Sequence, residues 1–307
     1  MTTVLVTGAT GFIGSRLVLE LLQTSRDVTV FGCARSLVND DMGIALFRGD
    51  LTHESFAQEV VDRSQPDVVY HLAGLTSGSL TQLLDANVVA TQRLATALQR
   101  TAGRPRLVLV SSAAVYGQGG QCPEAIAETT PYAPLGLYGI VKVAAELVAL
   151  SDPGANVVIA RVFNPIGPDQ APGSVFGALL TQAKAIMEGK ERTCIEVGTP
   201  AEVRDFIDVR DVASALRVVG GEGEARTAYN IGTGRGVSVG EMAQEFGELL
   251  AVPTSFTEVS SPRSGGIPVC VANINRLKVL GWTPHFSLRA TITESLARNA
   301  PSDPLPA

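Results

Sequence analysis

Through the first half of this 307-residue chain, short runs of consecutive apolar residues alternate with stretches whose apolar positions recur every three or four residues. Val4–Val6, Val28–Phe31, the run 66–72 (PDVVYHL), Leu107–Val110 and the run 156–162 (NVVIARV) read as strands. Residues 11–23, apolar at 12, 13, 17, 18, 21 and 22, read as a helix, as do stretches near 53–63, 80–101 and 138–150. Strands apolar on both faces and separated by helices belong to a parallel sheet covered on both sides. The expected fold class is therefore α/β, a doubly wound parallel sheet.

The rhythm changes after Asn164. Pro and Gly become frequent (NPIGPDQAPG), a helical pattern follows over 174–189, and then a short strand-like CIEV. A helix near 209–219 and a strand near 228–231 read as a return to the first unit. The chain is thus expected to form one domain from 1–163, rejoined by 205–233, and a smaller α/β lobe from 164–204 and 234–307.

The charge balance is 24 Lys plus Arg against 30 Asp plus Glu, a net of −6, which gives no global attraction to nucleic acid or an anionic membrane. The four cysteines (Cys33, Cys122, Cys194, Cys270) and three histidines (His53, His71, His285) stand apart, with no metal-ligand spacing and no disulfide framework. No basic, signal-like segment precedes the first apolar run, and the longest uncharged stretch, 107–123, is rich in Ser, Gly and Gln. A cytoplasmic protein with reduced thiols and no metal site is the expectation.

Thr7-Gly8-Ala9-Thr10-Gly11-Phe12-Ile13-Gly14 lies between the first strand and the first helix. Glycine at 8 permits a tight turn, at 11 a close approach of backbone to a pyrophosphate, and at 14 close helix–strand packing. The free N–H groups of the helix N-terminus then favour the anion. The second strand runs into Ala34-Arg35-Ser36. An acid that would bind a ribose 2′-hydroxyl is missing there, and Arg35 with Ser36 can hold a 2′-phosphate, so NADP(H) is expected over NAD(H).

Tyr138 and Lys142 form a Y-x-x-x-K pair. On a helix this spacing puts phenol and ammonium on one face, where the ammonium favours the phenolate. With five tyrosines and four lysines in the chain, chance supplies about 0.07 such pairs. The strand 107–110 runs into Ser111-Ser112, placing hydroxyls at the carboxyl edge of the sheet, where doubly wound folds bind ligands.

The spacing TGATGFIG resembles the fingerprint of the extended short-chain dehydrogenase/reductases, nucleotide-sugar branch, and the likeness extends over RVFNPIGP (161–168), EVRDFIDVRDVA (202–213), AYNIGTG (228–234) and VANINRLKVLGWTP (271–284). It implies a Rossmann domain with Asp50-Leu51 against the adenine, Leu72-Ala73-Gly74 lining the cofactor after a packed His71, and Asn87 close by. Counting back from Val115-Tyr116-Gly117, it gives Ser112 as the hydroxyl on the substrate oxygen, Tyr138 as proton donor, and Lys142 as the group that tunes Tyr138 and holds the nicotinamide ribose. The combination of FNPIGPDQ (163–170), FGALLTQAKAIMEG (176–189), IEVG (195–198), RDFIDVRDV (204–212) and the R-x-G-x-IPV run at 263–269 most resembles GDP-4-dehydro-6-deoxy-mannose reductases, which implies Asn164, Arg204 and Arg263 at the nucleotide diphosphate, in keeping with the fit of guanidinium forks to phosphate. Gly266 and Val141 depart from that pattern, where Asp and Ser are usual.

Ala113 and Ala114 stand where the family's 4,6-dehydratases carry Asp-Glu, which removes the acid–base pair dehydration needs. The expected reaction is NADPH-dependent reduction of the 4-keto group of an NDP-4-keto-6-deoxyhexose, GDP- or dTDP-linked. An NAD-dependent 4-epimerase is the alternative, and a non-catalytic NADP-sensing regulator a remote one. The resemblance also implies a homodimer packed through the 80–101 and 138–150 helices.

Overall fold

The computed structural model describes residues 2–25, 27–35, 42–120, 125–190, 192–257 and 267–299. Ser36, Cys122, Arg263 and Gly266 lie outside the described residues. The first half of the chain forms β1 (Thr2–Thr7), α1 (Phe12–Thr24), β2 (Val28–Ala34), β3 (Ala45–Arg48), α2 (Glu54–Ser64), β4 (Val68–His71), α3 (Leu80–Leu84), α4 (Ala90–Gln99), β5 (Arg106–Ser112), α5 (Gly136–Ala149) and β6 (Val157–Val162). After β6 come β7 (Asn164–Ile166), α6 (Val175–Met187), β8 (Ile195–Gly198), β9 (Val203–Arg204), β10 (Phe206–Asp208), α7 (Val209–Glu222) and β11 (Ala228–Ile231). The chain ends with β12 (Val237–Ser238), α8 (Val239–Leu250), β13 (Thr254–Thr257), β14 (Val269–Cys270), α9 (Asn275–Val279) and α10 (Leu288–Arg298).

Seven strands form one sheet in the order β11-β6-β5-β4-β1-β2-β3, and every neighbouring pair is parallel. The order reverses between β1 and β4, and in open α/β sheets the crevice at such a reversal is the ligand site. Side chains alternate between the two faces with period two. Val4, Val6, Val108, Val110 and Val158 pack with Leu17, Leu21, Leu216 and Val219 of α1 and α7. Leu5, Leu107, Leu109 and Ile159 pack on the other face with Val60, Leu94, Leu98 and Ala145 of α2, α4 and α5. A third core, built on Phe176, Leu179, Phe246 and Ile292, joins α6, α8 and α10 in the second lobe.

The stretch expected to be helical, 80–101, is helical over 80–99 but not uniformly α. Between α3 and α4 the chain makes a π-helical turn, Asp85–Val89. The Asn87 amide donates to the Leu83 and Leu75 carbonyls at 3.0 and 2.9 Å, and the Thr91 hydroxyl to the Asn87 carbonyl at 2.5 Å. Side chains bonded into the i−4 ladder commonly accompany such irregular turns. The pattern over 234–307 suggested only an irregular α/β lobe, yet it contains α8, whose start is fixed by reciprocal bonds between Ser238 and Glu241.

Candidate active site

The glycine loop turns where the sequence requires it. Gly8 has φ +67°, and a side chain there would stand 2.9 Å from the Ala73 nitrogen, while one on Gly14 would stand 2.1 Å from the Gly8 carbonyl oxygen. The loop and the end of β4 therefore touch backbone to backbone, and the crevice at the strand reversal opens above them. This cleft of about 410 Å³ is lined by Gly8, Gly11, Arg35, Asp50, Leu51, Leu72, Ala73 and Gly74, with Thr10, Thr52, Gln82 and Asp85 added from the structure. A glycine-floored crevice at a helix N-terminus with a cation at one end fits a dinucleotide's pyrophosphate and adenosine.

Phe12, Ile13, Gly14 and Asn87 do not line the cleft. Ile13 packs into the core, Phe12 lies toward Gly167, and Asn87 sits behind Gly74, where a side chain on Gly74 would meet its Oδ1 at 2.6 Å. Burial alone would raise the Asp50 carboxyl, but bonds from Thr52 and the charges of Arg35 and His53 outweigh it and hold Asp50 below its usual range. Arg35 is thus electrically part of the cleft. His71 is the packed residue the sequence suggests: it lies between the Thr7 and Thr91 hydroxyls at 2.7 and 3.1 Å, and burial, assisted by the Lys142 charge, brings its pKa down to about 3. It is neutral, and no base for a reaction.

Ser112, Tyr138 and Lys142 come together at the carboxyl edge of the sheet. Ser112 ends β5, and its Oγ accepts from the Ala114 amide at 3.2 Å, which starts a short turn over Ala113–Val115. Helix α5 packs hard on that turn: a side chain on Gly139 would lie 2.6 Å from the Ala114 carbonyl oxygen. This contact seats Tyr138 beside Ser112, whose hydroxyl acts on the phenol. Lys142 is buried, with its Nζ donating to the Val110 carbonyl at 2.7 Å.

The electrostatics depart from the expectation that Lys142 lowers the tyrosine. Burial raises Tyr138 above its ordinary value of 10.0, opposed by the neighbouring Ser112 hydroxyl. Burial brings Lys142 down to about 8, with the Glu146 carboxylate pulling the other way. At neutral pH the pair is a phenol and an ammonium.

Beneath the trio lies a layer that the sequence reading passed over. Glu146, fully buried one turn beyond Lys142, is paired with Arg161 of β6 at 2.8 Å, and it accepts from the Ser111 hydroxyl and, at 2.7 Å, from the Tyr132 hydroxyl. The guanidinium lies over the Tyr116 and Tyr132 rings, 5.0 Å from each centroid. A signal was available: Arg161 interrupts an otherwise apolar strand (NVVIARV), and a charge there must be paired.

In the second lobe, the Asn164 amide donates to the Asp205 carbonyl at 3.1 Å. Arg204 donates to the Val203 carbonyl and pairs with Glu202 at 2.9 Å; its ion pair is therefore with Glu202, not with the neighbouring Asp205 or Asp208. Among the described residues no helix is long and apolar enough to cross a membrane.

The model of the NAD dependent epimerase/dehydratase family matches residues 4–232. The chain belongs to that family. It is 30% identical to the dTDP-6-deoxy-L-talose 4-dehydrogenase (NAD(P)(+)) of Kitasatospora kifunensis, over 95% of this chain and 93% of the relative. It is 28% identical to the GDP-6-deoxy-D-mannose reductase of Pseudomonas aeruginosa, over 76% and 80%. A solved structure of MoeE5 with UDP-glucuronic acid and NAD superposes with a TM-score of 0.81 at 32% identity, covering 96% of this chain and 98% of that one. Other relatives bear epimerase and dehydratase names. The family works on nucleotide sugars with NAD or NADP, and within it reductases, dehydrogenases, epimerases and dehydratases share this fold.

Proposed function

We propose that this protein reduces the 4-keto group of an NDP-4-keto-6-deoxyhexose to the alcohol, with NADPH as the reductant. The observation that carries the reading is the Ser112–Tyr138–Lys142 trio at the carboxyl edge of the sheet, followed by Ala113 and Ala114. When bound, the dinucleotide supplies a hydride. Gly8, Gly11 and the N-terminus of α1 would hold its pyrophosphate, Arg35 its 2′-phosphate, Asp50 and Leu51 its adenosine, and Leu72–Gly74 its inner half.

The chain's own work is proton delivery. Ser112 donates to the keto oxygen and fixes its position. Tyr138, kept a phenol by burial, gives its proton to that oxygen as negative charge develops there, and the Lys142 ammonium stabilises the phenolate left behind. Alanines at 113 and 114 offer nothing that could move protons elsewhere on the sugar ring. Asn164, Arg204 and Arg263 are proposed for the diphosphate, with Arg204 exchanging Glu202 for phosphate. Leu137, Ile140 and Leu147 expose an apolar stripe along α5, which supports the homodimer reading.

The test is anaerobic mixing of the protein with NADPH and GDP- or dTDP-4-keto-6-deoxyhexose, followed at the reduced-nicotinamide band. Stoichiometric loss with one nucleotide is expected. The relatives named epimerases favour one second reading, a 4-epimerase, which predicts instead no loss and NAD released on denaturation. Tyr138→Phe is expected to abolish turnover and leave NADPH binding intact.

A further inference from the structure

Four lysines occur in the chain, and Lys142 is the buried one of them. Its ammonium has a backbone carbonyl as its hydrogen-bond partner rather than a carboxylate. The nearest stage of charge is one turn along the same helix. Glu146 is fully buried and its oxygens are fully engaged, by Ser111 on β5, Arg161 on β6 and Tyr132 in the loop before α5. Ser111 immediately precedes Ser112, so the carboxylate that sits behind Lys142 also ties down the strand end carrying the third member of the trio. The charged and titratable groups around Lys142 are Tyr138 and Glu146 on its own helix, His71 on β4, which is neutral, and Arg161 with Tyr132 behind Glu146.

We propose that Glu146, clamped by Arg161, is a positioning residue for the trio: through Ser111 it fixes the end of β5 against α5, and from one turn along the same face of α5 it sets its carboxylate toward Lys142. The inference rests on the reading of Ser112, Tyr138 and Lys142 as the reacting groups. Two separable consequences follow. Removing the Glu146 charge leaves Lys142 without the opposite charge one turn along α5, and its deprotonation moves to lower pH. Removing only the Ser111 hydroxyl leaves the charge and the β5–β6 pairing in place but unties the strand end from Glu146, so the chemical step slows while Lys142 titrates as before.

The experiment is an NMR titration of the full chain labelled with ¹³C at lysine Cε, from pH 5 to 11, with the Lys142 signal assigned by Lys142→Arg. The wild-type midpoint is expected near 8, from burial. In Glu146→Gln it is expected to fall by about one unit, the scale set by loss of an opposite charge nearby. Should Glu146→Gln fail to fold by circular dichroism, Glu146→Asp draws the charge back by one methylene, and a smaller fall is expected. Ser111→Ala is expected to keep the midpoint and to lose roughly ten- to a hundredfold in kcat with KM little changed. An unmoved Lys142 midpoint in the Gln variant (or in the Asp variant, if that is the one that folds), or wild-type kcat in Ser111→Ala, overturns the proposal. Failure of the parent reading looks different: the wild-type protein would not oxidise NADPH with either ketosugar, while the midpoint would still fall in Glu146→Gln.

Discussion

Two carboxylates, each fully buried, hold the molecule together at different places and by different means. Glu146, under the carboxyl edge of the sheet, is matched by a cation, Arg161, and by two hydroxyls. Asp205, where the second lobe joins the sheet domain, is held among the described residues by donors alone. The Thr233 amide and hydroxyl reach its Oδ1 at 2.8 and 2.6 Å, and the Gly234 and Ala272 amides its Oδ2 at 2.9 and 3.2 Å. Burial raises the Asp205 carboxyl, and those donors offset it only in part. A buried charge with its own cation makes a rigid, directional brace between a helix and two strands. One held by backbone amides instead staples three chain segments, and its protonation depends on the solution. The carboxyl edge of the sheet has the first kind of support and the lobe junction the second.

The sharpest way to break the contrast is to remove the cation. Arg161→Met leaves Glu146 buried and unpaired, and is expected to cost about 3–5 kcal/mol in urea unfolding. The double variant Glu146→Leu/Arg161→Met should lose clearly less, because two apolar side chains avoid the desolvation of either charge. A double variant as unstable as the single would mean that the brace acts through shape rather than charge.

At the other carboxylate, Asp205→Asn presents an amide NH₂ to N–H donors and is expected to cost about 1–3 kcal/mol. Its pH signature separates it from Arg161→Met. The folded-state pKa of Asp205 is raised above the unfolded value, so protonation favours the fold. That contribution is complete below pH 3.8 and is lost as pH rises through the raised value. The stability advantage of wild type over Asp205→Asn should therefore shrink from acid toward neutral pH. A difference constant over that range would remove the distinction between the two sites.

Much of this organisation could be read from the chain, for reasons that differ by region. In the sheet domain the strands are buried on both faces and the helices on one, so apolar periodicity alone located β1, β4, β5, β6 and α1 to within a few residues. Gly8, Gly11 and the Tyr138–Lys142 pair were legible because backbone geometry and helical spacing leave few substitutes. The π-helical turn at Asp85–Val89 was not legible, because it depends on the side-chain bonds of Asn87 and Thr91 to carbonyls. Nor was the direction of the Tyr138 shift: spacing shows that Lys142 is near but says nothing of burial, which outweighs the other influences. The lobe was harder still. Its strands β9, β12 and β14 are two residues each and are paired with partners distant in sequence, beyond the reach of local pattern.

The smallest effects compare the two supports one hydroxyl at a time. Thr233→Val removes a 2.6 Å bond to Asp205, and a 3.1 Å bond accepted from the Arg235 amide, while the Thr233 amide stays in place, and a loss of about 1–1.5 kcal/mol is expected. Tyr132→Phe removes the 2.7 Å bond to Glu146 and the 2.9 Å bond the hydroxyl accepts from Arg161, and should still cost less, about 0.5–1 kcal/mol. Three features cushion it: the ring under the guanidinium is kept, the Arg161 contacts to Glu146 are untouched, and Tyr132 is 38% exposed, so water can take the place of the hydroxyl. Thermal unfolding of both variants at one pH makes the comparison. If Tyr132→Phe were the costlier of the two, the Glu146 site would depend on its hydroxyl donors as Asp205 does, and the cation would no longer be what distinguishes the carboxyl edge of the sheet.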